Sequence, residues 1–162
     1  MTNAPDACTD AIRFYRVAEE FGQFSNFAPF PIDLEGERWP TAEHFFQAQK
    51  FQDAAYREQI RQTLSPMQAA RMGRDRARAL RPDWEAAKVE VMRRAVRAKF
   101  TQYEELRALL LATGQRSLLE HTTNDAYWGD GGDGSGQNML GQILMTLRDE
   151  LRSESDGSLG HS

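Results

Sequence analysis

Cysteine is all but missing from this 162-residue chain: Cys8 stands alone near its start. One thiol cannot close an internal disulfide, and it rules out any metal cluster built on cysteine. Histidine is scarce as well (His44, His121 and His161), so a zinc site lacks ligands. No apolar run approaches the ~20 residues that cross a bilayer. The polar, acidic start (Asp6, Asp10) has no basic segment leading into an apolar stretch, so no secretory signal is expected. Positive charge is not in excess either. A net charge of −4 argues against a protein that coats nucleic acid by neutralising phosphates, though not against a pocket for one modified nucleotide. These absences predict a cytoplasmic protein with no metal, no cofactor and no membrane partner.

What is present is ordinary for a globular domain: 40% hydrophobic and 27% charged residues. One domain over 12–152 is expected, with disordered tails at 1–11 and 153–162. The expected fold is mainly α, with a small N-terminal antiparallel β element. Ile12–Arg16 and Phe30–Leu34 have strand character, and Gly36 marks a turn before Arg38-Trp39. From Thr41 onward the chain reads as helical. Thr41 is the first N-cap, a second helix begins near Gln52 or Asp53, and Ser65-Pro66 opens a third. Pro82-Asp83 opens the longest helix, with a break near Thr101 and a stop at Gly114. Residues 118–123 are short and extended. A last helix runs from about Gln137 through Ile143, Leu147 and Leu151.

Two segments suggest chemistry. In Thr41–Phe51, Glu43, Gln47 and Lys50 recur at i, i+4 and i+7, on one stripe of a helix otherwise rich in Phe and Ala. An acid, an amide and an amine so placed suggest a site rather than a solvated face. Glu43 is either a first-turn acid favoured by the helix dipole or a general acid/base. Lys50 is either a surface lysine or a buried amine able to form a Schiff base. His44 lies on another face and reads as packed.

The second segment is Asn124–Asn138, with five glycines before the last helix. Glycines permit close backbone approach, and their free N–H groups suit a phosphate. The Walker, dinucleotide and calcium-loop patterns are all missing. Asp125 reads as an acid/base, a ribose ligand or a turn residue, and Trp128 as a stacking face for a base or sugar. Phe24, Phe27, Trp39 and Trp84 are core residues or pocket walls. Ser25 and Asn26 between two phenylalanines need polar partners. Arginine clusters at 71–81 and 93–97 are mostly solvated faces, with one or two able to meet a phosphate.

These motifs stand in an order that resembles the NADAR superfamily, the YbiA-like proteins. The set comprises Phe24-Ser25-Asn26-Phe27, the Trp39–Phe51 block, Arg71-x-Gly73-Arg74, Asp83-Trp84 with Lys88 and Met92, and Lys99-Phe100. It closes with Asp125-x-x-Trp128-Gly129-x-Gly131 and Gly136-x-Asn138-x-Leu140-Gly141. The resemblance implies a compact helical domain with N-glycosidase activity. Its substrates would be phosphorylated ribosylamino-pyrimidine intermediates of riboflavin synthesis, or ADP-ribose on guanine. By position it implies Glu43, Lys50 and Asp125 as the catalytic group, meeting around one sugar. It further implies Ser25, Asn26, Trp128, Gly129, Gly131 and Asn138 in substrate binding, and the aromatic residues Phe24 and Trp84 are expected as walls of the same pocket. A non-catalytic module for ADP-ribose or another nucleotide is the alternative, and a helical interaction protein a third. The residues carry no sign of oligomeric state or of a toxin partner.

Overall fold

The computed structural model describes residues 10–159, with side chains as far as 155; residues 1–9 and 160–162 of the two expected tails, Cys8 and His161 among them, lie outside these residues, while 153–159, expected as part of a disordered tail, are helical. Four short strands and six α-helices follow in order: β1 (Ile12–Phe14), β2 (Ile32–Leu34), β3 (Glu37–Trp39), α1 (Ala42–Ala48), α2 (Ala54–Arg61), α3 (Pro66–Gly73), α4 (Trp84–Gln102), α5 (Glu104–Ala112), β4 (Leu118–Glu120) and α6 (Met139–Leu159). The fold is thus mainly α, as the sequence predicts. The chain forms two compact units, one from residues 10–25 with 103–159 and one from Asn26–Gln102. Among the described residues no helix is long and apolar enough to cross a membrane.

In the 26–102 unit the expected antiparallel element is the β2–β3 hairpin, with Ile32 opposite Trp39. Its two-residue turn, Glu35 (φ 54°) and Gly36 (φ 79°), has both residues left-handed, which matches the twist of the flanking strands. The Gln102 amide then closes the outer edge of β2. It accepts from Asp33 N and donates to Asp33 O, both at 2.8 Å. The predicted caps are in place. Thr41 Oγ1 accepts from His44 N, Asp53 Oδ1 from Ala55 N and Tyr56 N, and Ser65 Oγ from Gln68 N. Phe45, Ile32, Ile60 and Phe51 are fully buried around α1.

In the other unit β1 does not join the hairpin, as a purely N-terminal β element would have it. It pairs in parallel with β4, Ile12 opposite Leu118. The leucine spacing of the last helix is core as expected: Leu140, Ile143, Leu144, Leu147 and Leu151 are buried with Leu106, Leu110 and Leu118. This helix is also the longest, at 21 residues against 19 for α4. It continues to Leu159, past the point where the apolar pattern stops, because extending a formed helix fixes one residue per added hydrogen bond and needs no new nucleus. Residues 22–24 make one 3₁₀ turn.

Candidate active site

The helical stripe survives in part. Glu43 and Gln47 lie one turn apart on α1, 8% and 6% exposed, and Gln47 Nε2 donates to Glu43 Oε2 at 2.6 Å. The helix ends before Lys50, whose N–H donates to Gln47 O at 3.2 Å in a tight closing turn. That turn, rather than a further helical step, presents the lysine. Its ammonium lies 5.7 Å from the Phe46 ring centre, and Phe46 packs on Trp84 with centroids 5.2 Å apart. Trp84 is buried, so it serves as the wall behind Phe46. Asn26 is tied to the same place: its carbonyl accepts from Glu43 N, and its Nδ2 reaches Met92 Sδ at 3.1 Å.

Lys50 is half-buried, and its amine makes no hydrogen bond or ion pair among the described residues. Burial draws its pKa down from 10.5 to about 8; Glu43 pulls it up, while Arg76, Arg74 and Lys88 push it down. An amine with that pKa is neutral in roughly one molecule in ten at pH 7, against about one in three thousand for an ordinary lysine. Arg74 and Arg76 belong to the arginine cluster read as mostly solvated, with one or two members able to meet a phosphate, and Lys88 stands outside both clusters. The signal for them was Arg74 and Lys88 within the family motifs, in a chain whose overall charge is negative.

His44 is fully buried and packed, as expected. Its Nδ1 pairs with Thr41 Oγ1 at 2.8 Å and its Nε2 with Thr63 O at 3.1 Å. Burial lowers its pKa, so it sits neutral in the core.

In the other unit the glycine-rich segment corrects an expectation. Its amides do not point outward to await a phosphate. Every N–H from Tyr127 to Leu140 except those of Gly129 and Asp133 donates to an acceptor within residues 120–133. The buried Asp130 is the hub. Its Oδ1 accepts from Thr122 N and Gly132 N, and its Oδ2 pairs with His121 Nδ1 at 2.8 Å. Burial pushes the Asp130 carboxyl up, but the bonds from His121, Gly132 and Thr122 outweigh it and hold the carboxyl below its ordinary value. Gly129 is required by packing: a Cβ there would lie 2.7 Å from Thr122 Cγ2 and 2.9 Å from Glu120 O. Gly131 is required by its φ of 76°.

The other expected residues divide between folding and availability. Asp125 Oδ1 accepts from Tyr127 N and Trp128 N, the bonds of an Asx turn, while Oδ2 has no hydrogen bond among the described residues. Trp128 is half-buried, edge-on to Tyr127 at 4.9 Å. Asn138 is a folding residue: its Oδ1 accepts from Glu120 N and its Nδ2 donates to Leu118 O, both at 2.9 Å. Its amide therefore holds β4, which leaves it little capacity for a ligand. Phe24 is core, 1% exposed between Phe14 and Phe21. Ser25 is buried at the end of the 3₁₀ turn.

A model of the NADAR domain family matches residues 13–152, across both units. The chain is 61% identical over 143 residues to N-glycosidase YbiA of Escherichia coli K12, an alignment covering 88% of this chain and 89% of that protein. It is 45% identical over 148 residues to the riboflavin biosynthesis protein VVA0006 of Vibrio vulnificus, covering 91% of this chain and 40% of the longer relative. Among solved structures it is similar to the NMR structure of the E. coli protein YbiA. The TM-score is 0.84 at 60% identity, over 90% of this chain and 88% of the other.

Proposed function

The chain belongs to the NADAR family, and from this premise we propose that it is a hydrolase that cuts the bond between ribose C1 and the amino nitrogen of a phosphorylated ribosylamine. The observation that carries the reading is the Lys50 amine, half-buried and held near pKa 8, with the Glu43 carboxylate acting on it through its charge. Arg74, Arg76 and Lys88 act on the same amine, and a cluster of cations suits an anionic, phosphate-bearing substrate.

The chemistry follows from an amine and a carboxylate. Ring opening of a ribosylamine gives an iminium at C1 without loss of the base. The neutral Lys50 amine adds to C1, forming a C–N bond. A proton moves from the lysine nitrogen to the base nitrogen, with Glu43 as carrier, and the C1–base bond breaks. The lysine–sugar iminium that remains takes up water at C1. The C1–lysine bond then breaks, and the free sugar aldehyde recloses. The sum is one water consumed, one amine and one sugar phosphate released. The family resemblance alone adds Asp125, one of whose carboxylate oxygens makes no hydrogen bond among the described residues, and Trp128.

The substrate proposed first is a ribosylamino-pyrimidine phosphate of riboflavin synthesis, the process named for the Vibrio relative. ADP-ribose attached to guanine offers the same amino-linked ribose and forms the second arm of the test. Purified protein is given each substrate with and without borohydride, and the released sugar is assayed. The Lys50 peptide is then weighed by mass spectrometry. The expected result is turnover, borohydride-dependent inactivation and a sugar adduct on Lys50. Turnover with no adduct replaces this route by direct hydrolysis with a carboxylate-activated water. Binding without turnover on both substrates leaves a nucleotide-binding module.

A further inference from the structure

Gln47 stands between the two groups given chemical roles above, and that chemistry does not use it. We propose that Gln47 is a positioning residue: its amide, seated against the bare Cα of Gly73, fixes the Glu43 carboxylate in the orientation from which it moves protons. The inference rests on the reading of Glu43 as proton carrier.

Three observations on the same side chain carry it. First, Gln47 Nε2 donates to Glu43 Oε2 at 2.6 Å, with both residues buried, so the bond is shielded from competing water. Second, the amide accepts an imperfect arrangement to make that bond. Gln47 Oε1 is buried and has no hydrogen-bond partner among the described residues. Native interiors normally avoid this. The flipped amide would set Oε1 against a carboxylate oxygen, acceptor to acceptor. The Glu43 carboxylate thus decides which way the amide points.

Third, the opposite wall is shaped for the amide. Gly73 closes α3, where most residues are better helix formers. A Cβ at this position would lie 1.8 Å from Gln47 Oε1 and 2.6 Å from its Cδ. The glycine is needed because the amide occupies the space. The same carbonyl junction anchors a nearby cation, since Arg76 Nη1 donates to Gly73 O at 3.2 Å. Gly73, Gln47 and Glu43 therefore form one chain of contacts from α3 to the carboxylate.

The test compares Gln47→Met, Gly73→Ala, Glu43→Gln and the double variant Glu43→Gln/Gln47→Met on a ribosylamino-pyrimidine phosphate, reading kcat and KM separately. Methionine keeps length and apolar volume but has no amide. Gln47→Met is expected to lower kcat roughly 10–100-fold with KM within about threefold. It should add no further loss in the Glu43→Gln background, because the two residues act as a unit. Gly73→Ala, which leaves the Gln47 side chain intact and removes only its seat, is expected to lower kcat in the same way. It carries the decision if Gln47→Met does not fold. A kcat within threefold of the parent in the folded variants, or losses that multiply in the double variant, overturns the inference while Glu43 keeps its role. Full turnover by Glu43→Gln removes that role and this inference together.

Discussion

Replacing Lys50 by methionine should abolish turnover and yet stabilise the protein at neutral pH. Methionine matches the length of the lysine stem but leaves no ammonium over the Phe46 ring. It removes an ammonium that burial, Arg76, Arg74 and Lys88 all disfavour. The fall from 10.5 to about 8 corresponds to roughly 3 kcal/mol, which solvent screening of this half-buried group reduces to about 1–2 kcal/mol. The sign follows from proton binding. Between pH 8 and 10.5 the unfolded lysine holds its proton more firmly than the folded one, so the parent gains stability as pH rises through that window. Below it, both states are charged and the folded state bears the full penalty. The advantage of Lys50→Met should therefore be complete at pH 7 and shrink towards zero by about pH 10.5. Urea unfolding of parent and variant at pH 7 and at pH 10 measures this, since other titrating groups cancel in the difference. A variant less stable than the parent at pH 7, or an advantage that does not change with pH, refutes the assignment of a strained amine at this position.

Two further outcomes concern the scaffold. Asn138→Ala removes both side-chain bonds to β4 and places alanine at a φ of 52°. A loss of about 2–4 kcal/mol is expected, with Asn138→Gly about 1 kcal/mol milder because glycine accepts that backbone; chemical denaturation measures both. His44 has its pKa lowered by burial, so the unfolded state binds its proton first as pH falls below 6.5. Parent stability should decline from pH 6.5 downward more steeply than that of His44→Gln, and parallel curves would show that His44 does not titrate in this way.

Much of this protein was legible without coordinates because the signals act over one helical turn or one hairpin. Thr41, Asp53 and Ser65 cap helices by bonding amides two or three residues ahead, and such bonds need no distant partner. The Glu35-Gly36 turn and the leucine spacing of α6 are local in the same sense. So is the i, i+4 pairing of Glu43 with Gln47, which put an acid and an amide on one face before any fold was known. The ordered motifs from Phe24 to Gly141 gave the family by the same linear reading.

Only the tertiary structure decided what depends on residues far apart in the chain. Pairing of β1 with β4 joins segments about a hundred residues apart, and no periodicity within either strand encodes its neighbour. The glycine-rich segment has the composition of an anion cradle, yet its amides close on Asp125 and Asp130, which a count of glycines does not reveal. The character of Lys50 was undetermined in sequence between surface amine and reactive amine. The burial that α1's closing turn gives it, with the charges of Arg74 and Arg76 just beyond α3 and of Lys88 on α4, lowers its basicity, because desolvation and charge act through space rather than along the chain.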